Sequence, residues 1–100
     1  MRLLGGPSGV NGSPRLWTAD NGVYFAQGYP VPGEPAKVRI PHDLLHYMEP
    51  GMCFDTDLTD IGNGWYVMVG TTITDQQVLN TMQIPGHETA VAVPVRKDDR

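Results

Sequence analysis

Two similar stretches decide the fold, NGVYFAQG at residues 21–28 and NGWYVMVG at residues 63–70. Four of the eight positions are identical, at a constant offset of 42 residues. Asn-Gly is the strongest short-range signal for a β-hairpin, because both central residues of a type I′ turn need positive φ. Each stretch therefore predicts a tight turn that leads into a strand, and together they predict an internal repeat.

The similarity continues beyond these two stretches. Each copy later reaches an apolar strand closed by proline, VRIP at residues 38–41 and VAVP at residues 91–94, at an offset of 53 residues. The 11 additional residues of the second copy follow Thr74 and contain a candidate helix. We therefore predict a mainly β (α+β) fold, either an antiparallel sheet or a small, partly open barrel. It would be built from two pseudo-symmetric hairpin units with one or two short helices.

The length of 100 residues predicts one small domain. Residues 1–14 contain the stretch GGPSGVNGSP, which is typical of flexible coil, so we predict a flexible tail there. The single domain then covers residues 15–96, with one repeat unit over residues 15–48 and the other over residues 52–96. The charged residues 97–100 are expected to fray into solvent.

Composition limits the classes of partner. The net charge of −4 argues against nucleic acid, whose binding depends on neutralising phosphates with basic side chains. Arg15, Lys37 and Arg39 could still form a small cationic patch beside aromatic residues. No apolar run is long enough to cross a membrane, and the single cysteine, Cys53, indicates a reducing compartment. These features predict a cytoplasmic protein without membrane or nucleic-acid partners.

Strand alternation gives the aromatic hairpins two different faces. Tyr24 and Tyr66 occupy equivalent positions, and each shares its face with a glycine four residues later. Core packing alone explains most of these residues, and the functional alternative that we carry forward is that this face is an interface for a partner or a second copy. In another arrangement Trp65 would join Tyr24 and Tyr66 in a ligand pocket between the units. The predicted interface residues are Tyr24, Gly28, Tyr66, Met68 and Gly70.

The sharpest candidate for chemistry is HDLLH at residues 42–46. On an α-helix, residues four apart lie one turn above each other, so His42 and His46 could bind one metal ion. Asp43 would then act as a general base on a bound water, in an arrangement similar to the H-E-x-x-H motif of zinc peptidases. The competing interpretation is a short amphipathic helix that carries two partly exposed histidines.

The segment TADNGVYFAQGYPV at residues 18–31, followed by VRIPHDLL at residues 38–45, resembles small proteins of unknown function from high-GC actinobacteria. In these proteins a D-x-G-x-Y-x-x-Q-G stretch precedes an E-x-x-V-x-V-P strand, which is similar to ETAVAVP at residues 88–94. The resemblance carries no catalytic residue. It implies a class often associated with regulators, and therefore favours a binding role.

These features predict a non-enzymatic protein-interaction or regulatory module that acts through a neutral aromatic sheet face or edge. We expect a homodimer, a possible regulatory protein as partner, and no cofactor. The small size supports association, because a domain of this length buries a limited share of its surface. The alternative is a small metal-dependent hydrolase that uses His42, His46 and Asp43.

Overall fold

The computed structural model describes residues 1–6, 14–19 and 21–98. Strands hold 48% of these residues and helices 14%, so the fold is mainly β, as predicted. The helices are a 3₁₀ helix at His42–Tyr47 and the α-helix α1 at Gln76–Met82. In chain order, the described strands are β1 Arg2–Gly5, β2 Arg15–Thr18, β3 Tyr24–Pro30, β4 Lys37–Pro41, β5 Met52–Phe54, β6 Leu58–Gly62, β7 Trp65–Val69, β8 Thr71–Thr72, β9 Thr89–Val93 and β10 Val95–Lys97.

All of these strands pair antiparallel. The main sheet has the order β1-β2-β3-β4-β7-β6, and β9 pairs with both β3 and β8. Strands β5 and β10 form a separate two-stranded ladder. The sheet is not closed into a barrel, so the antiparallel-sheet alternative of the prediction is the correct one.

Both Asn-Gly steps lie in hairpin turns, but the turns differ. Between β6 and β7, Asn63 has a φ of 57° and Gly64 a φ of 87°, as the predicted type I′ turn requires. Between β2 and β3, the Ala19 N–H donates to the Val23 carbonyl oxygen, and the Gly22 N–H donates to the Ala19 carbonyl oxygen. The first reversal is therefore one residue longer than the predicted two-residue turn.

Each hairpin pairs with the proline-closed strand that follows the other hairpin in the sequence. The first five residues of β3 pair with β9, and β7 pairs with β4. Tyr24 lies opposite Val93 in one of these ladders, and Tyr66 lies opposite Ile40 in the other. Tyr66 follows Tyr24 by 42 residues, and Val93 follows Ile40 by 53 residues. The pairing therefore has the same two offsets as the matched stretches of the sequence.

Gly28 and Gly70 lie where the strands change partners. After Gly28, Tyr29 and Pro30 pair with β4 instead of β9, and Gly70 separates β7 from β8. A Cβ atom on Gly28 would overlap the carbonyl oxygen of Arg39, and one on Gly70 would lie 2.8 Å from the carbonyl oxygen of Ala92. The strands approach each other too closely for any side chain at these positions.

Of the two buried hydrophobic clusters, the larger lies inside the folded sheet and includes residues of short elements. Leu44 of the 3₁₀ helix and Phe54 of β5 pack against residues of the main sheet. The buried residues of this cluster are Leu16, Tyr24, Ala26, Val38, Ile40, Leu44, Phe54, Met68, Val91 and Val93.

The structure corrects the predicted ends of the domain. Residues Arg2–Gly5 form β1, which pairs with β2, so the first part of the predicted tail belongs to the sheet. Residues 7–13 of that tail lie outside the described residues. At the other end, Lys97 belongs to β10, and the Asp98 N–H donates to the Gly51 carbonyl oxygen, so these two residues are not frayed. Residues 99–100 also lie outside the described part of the chain.

The close approach at the two glycines predicts that alanine is poorly tolerated there. We expect Gly28→Ala and Gly70→Ala each to lower the free energy of unfolding by about 2 kcal/mol or more, because the added methyl group overpacks the sheet. Urea denaturation measures the change. Gly86→Ala is the matched control, since a Cβ there meets nothing within 4 Å. Wild-type stability in either strand variant would contradict the proposed constraint.

Candidate functional site

One face of the main sheet carries side chains that point away from the core. Val38, Ile40 and Met68 are fully buried, so their neighbours along β4 and β7 point to the opposite side. Tyr29 lies opposite Arg39, Arg39 opposite Val67, and Val67 opposite Thr59, which places these side chains on the same side. We call this side the outer face, defined by Tyr29, Arg39, Thr59, Trp65, Val67 and Val69.

The outer face is centred on a stacked arginine. The guanidinium carbon of Arg39 lies 5.5 Å from the ring centroid of Tyr29 and 5.3 Å from that of Trp65. The two aromatic rings are themselves 5.6 Å apart. We call these three residues the stacked-arginine cluster. Cation–π contact with two neighbouring rings restricts the guanidinium and leaves N–H edges available, because Arg39 is exposed.

Apolar surface accompanies this cluster. Val69 at the end of β7 is 37% exposed, and Val67 beside Arg39 is half-buried. Strand β6 forms one edge of the sheet and carries the exposed Ile61. An arginine in contact with a tyrosine and a tryptophan combines the three residue types that contribute most to binding energy at protein interfaces.

The interface predicted from the sequence was placed on the wrong face. Tyr24 is 1% exposed and Met68 0% exposed, so neither can contact a partner. Gly28 and Gly70 are packed against neighbouring strands, as described above. Tyr66 is half-buried, with its ring centroid 4.1 Å from that of His42. Alternation correctly separated the two faces, but both faces of β3 are covered, since Tyr24 belongs to one buried cluster and Phe25 to another.

The predicted ligand pocket is also not formed. Trp65 lies on the outer face, whereas its neighbour Tyr66 and the equivalent Tyr24 point to the other side of their strands. These three side chains therefore cannot line one cavity.

The HDLLH segment does not form the predicted metal site. It is a 3₁₀ helix, in which residues four apart are rotated by about 120° instead of lying on one face. His42 Nε2 lies 3.2 Å from the Trp65 carbonyl oxygen and 3.3 Å from Asp60 Oδ1, whereas His46 and Asp43 are exposed. No group of three His, Cys, Asp or Glu side chains converges anywhere in residues 1–6, 14–19 and 21–98. The hydrolase alternative therefore lacks the geometry on which it depended.

Tyr24 has a structural partner that the sequence did not indicate. Its hydroxyl donates to Glu49 Oε1 at 2.8 Å and accepts from the Glu49 N–H at 3.2 Å. Arg2 donates to Glu49 Oε2 at 3.0 Å, which connects β1 to the same turn. Burial raises the pKa of Tyr24 above its ordinary value of 10.0. The Tyr24 hydroxyl, followed by Arg2, lowers the pKa of Glu49 below 4.5.

A second feature without a local signal in the sequence is the buried carboxylate of Glu88. The side chain of Glu88 is fully buried, and its Oε1 accepts a hydrogen bond from Gln27 Nε2 at 3.2 Å. Gln27 is itself buried and accepts from Trp17 Nε1 at 3.2 Å. Local composition could not reveal this network, because Gln27 and Glu88 are 61 residues apart.

Comparisons with protein-family models, with curated proteins and with solved structures find no match to this chain. Within the part of the chain that the structure describes, no helix has both the length and the apolar character needed to span a membrane. The function is therefore inferred from the geometry of the chain itself.

The lowered pKa of Glu49 predicts a specific dependence of stability on pH. The ionised carboxylate stabilises the fold above its unfolded pKa of 4.5, and this contribution is lost as the pH falls through the lower folded pKa. We expect Glu49→Gln to destabilise the protein at neutral pH, with the difference from wild type vanishing as the pH falls below the lowered pKa of Glu49. Urea midpoints measured across this range provide the test.

Tyr24→Phe supplies the matched control for that experiment. It keeps the ring that contacts Phe54 but removes the hydroxyl that most lowers the pKa of Glu49. In the Tyr24→Phe background, Glu49→Gln is therefore expected to have a smaller effect. An effect of Glu49→Gln that is equal in both backgrounds, or constant with pH, would rule out this coupling.

Proposed function

We propose that this chain is a non-enzymatic protein-interaction module that binds its partner through the outer face. The observation that supports this proposal is the stacked-arginine cluster, in which Arg39 lies against Tyr29 and Trp65 on an exposed part of the sheet. Trp, Tyr and Arg are the residues most enriched among those that dominate binding energy at protein interfaces.

The chemistry of Arg39 favours a carboxylate on the partner. A guanidinium group can donate two parallel N–H bonds to a carboxylate, which gives direction as well as attraction. Because the two rings already restrict Arg39, the side chain loses less entropy on binding than a free surface arginine would. Val67 and Val69 add apolar area beside it, so the favoured partner surface is a carboxylate next to apolar side chains.

A second copy of this chain can provide such a surface, and we propose a homodimer as the assembly. The chain has 11 acidic residues against 7 basic ones, so carboxylates are plentiful on its surface. A domain of this size buries a limited share of its surface on folding, and association adds to its stability. A separate regulatory protein is the other candidate partner, as the resemblance to small actinobacterial proteins favours.

The internal repeat and the cellular location belong to the same proposal. Duplication of one hairpin unit is supported by two equivalent residue pairs between strands, since Tyr24–Val93 and Tyr66–Ile40 are related by the two offsets of the sequence.

A cytoplasmic location is supported by the single cysteine, Cys53, which has no second cysteine in the chain to form a disulfide.

Light scattering at increasing protein concentration tests the homodimer. We expect Trp65→Ala and Arg39→Ala each to weaken the dimer by about 2 kcal/mol, which is roughly thirtyfold in the dissociation constant. Arg39→Lys is the sharper variant, because it keeps the charge but loses the planar stacking and the paired N–H donors. It is expected to weaken the dimer almost as much as Arg39→Ala.

Gln76→Ala on α1 is the control for this experiment. Its side chain is exposed and hydrogen-bonds within the helix to Asn80, away from the outer face, so the dimer should be unaffected. A wild-type chain that remains monomeric at high micromolar concentration would eliminate the homodimer. If it also retains no partner in pull-downs from its source cells, the interaction module itself is contradicted.

A further inference from the structure

The stacked-arginine cluster continues into a residue from a distant part of the chain, His87. The His87 ring centroid lies 6.4 Å from that of Tyr29, and the two ring planes are inclined by 32°. Tyr29 is the ring that also contacts Arg39 and Trp65. The side chain of His87 is 67% exposed, so it borders the cluster at the surface and can contact a partner bound there.

A buried carboxylate holds His87 in this position. The Glu88 side chain has no exposed area, and its Oε1 accepts a hydrogen bond from Gln27 Nε2 at 3.2 Å. The other oxygen, Oε2, makes no hydrogen bond within the described residues, and His87 Nε2 lies 3.2 Å from it. A buried carboxylate is costly unless it is paired, so the imidazole is the group that compensates Oε2.

The charged groups around His87 differ in sign. Within the described residues, Glu88 lies beside His87, and Arg39 lies against the same tyrosine ring, 5.5 Å from its centroid. Glu34 and Lys37 line one pocket with Glu88, but they pair with each other at 2.9 Å and balance one another. The local charge therefore depends on Glu88, Arg39 and the protonation state of His87.

Protonation of His87 changes the field that a partner carboxylate meets. When His87 is neutral, the negative charge of Glu88 is unbalanced and opposes the attraction of Arg39 for a second carboxylate. When His87 is protonated, its charge cancels that of Glu88, and the attraction of Arg39 is unopposed. Binding of a carboxylate and binding of a proton to His87 therefore favour each other, because linkage between two sites is reciprocal.

We propose that His87 is a fourth binding residue of the stacked-arginine cluster, that the buried Glu88 carboxylate positions it against Tyr29, and that its protonation strengthens binding of a partner carboxylate. This inference rests on the proposed binding role of the outer face and names the regulation of that face. Glu88 is a positioning residue, because its side chain is buried and acts only through His87.

Side-chain NMR of the whole chain, dilute enough to be monomeric, tests the positioning without a partner. The pH is varied between about 5 and about 8, where imidazoles usually change charge. We expect the Tyr29 ring signals to shift together with those of His87, because the two rings are in contact. His87→Gln should abolish this response, since an amide does not titrate. Glu88→Gln should make it about twofold smaller, because a charge-assisted contact becomes a neutral one.

Light scattering at the same two pH values tests the regulation. We expect the dissociation constant of the wild-type dimer to be about threefold lower at the acidic pH, as one additional exposed charge contact would produce. His87→Gln should remove this dependence. His46→Gln is the matched control, because His46 is an exposed histidine of the 3₁₀ helix outside the outer face, and it should leave the dependence unchanged.

The outcomes separate this inference from the proposed function. A wild-type chain that remains monomeric at both pH values refutes the homodimer and its regulation, whereas the NMR experiment alone decides whether Glu88 positions His87. The inference is overturned if the Tyr29 signals do not follow His87 in the folded wild type, or if they respond equally in Glu88→Gln. It is also overturned if the pH dependence of the dimer survives His87→Gln. Because His87 is exposed, this variant tests the inference even if Glu88→Gln does not fold.

Discussion

The architecture depends on two points where a backbone carbonyl lies against a glycine. At Gly28 the carbonyl is that of Arg39, and at Gly70 it is that of Ala92. At each contact the absence of a side chain on the glycine lets the neighbouring strand approach closely, and the pairing partner changes there. Because of these changes, β4 pairs with both β3 and β7, and β9 pairs with both β3 and β8.

This arrangement also determines which side chains are accessible. The side chains that share the orientation of Val38 and Met68 fill the interior, so Arg39 and Trp65 must lie outside. Tyr24 reaches the interior with its ring, and its hydroxyl meets Glu49 at the boundary of the core. The exposure of the stacked-arginine cluster and the burial of the Tyr24 ring both follow from the alternation of side chains between the two faces of the paired strands.

Local signals in the sequence predicted local structure well. Asn63-Gly64 forms the expected turn because the requirement for positive φ is set by those two residues alone. The orientation of the faces was not predictable in the same way, because alternation relates Tyr24 to Phe25 but does not say which side other strands cover. β1 was missed because its pairing with β2 depends on residues across a glycine-rich segment. The Glu88 carboxylate was missed for a similar reason, since its burial results from Gln27 in a distant strand.

The HDLLH segment shows how a small change in helix type removes a predicted site. The sequence pattern assumed an α-helix, for which residues 42 and 46 share a face. The helix contains only six residues and is tightened to 3₁₀ geometry, with Leu44 directed into the core. Burial of that leucine determines the orientation of the turn. The His42 ring then packs against the Tyr66 ring.

The exchanged ladders have a consequence for how the chain acquires its structure during synthesis. Strand β3 is complete once residue 30 has been made, yet its main ladder partner, β9, begins only at Thr89. The amino-terminal half emerges from the ribosome with an open strand edge, and it has no local means of covering that edge. The main ladder of β3 therefore depends on contacts between residues far apart in the chain, and contacts of this kind slow folding.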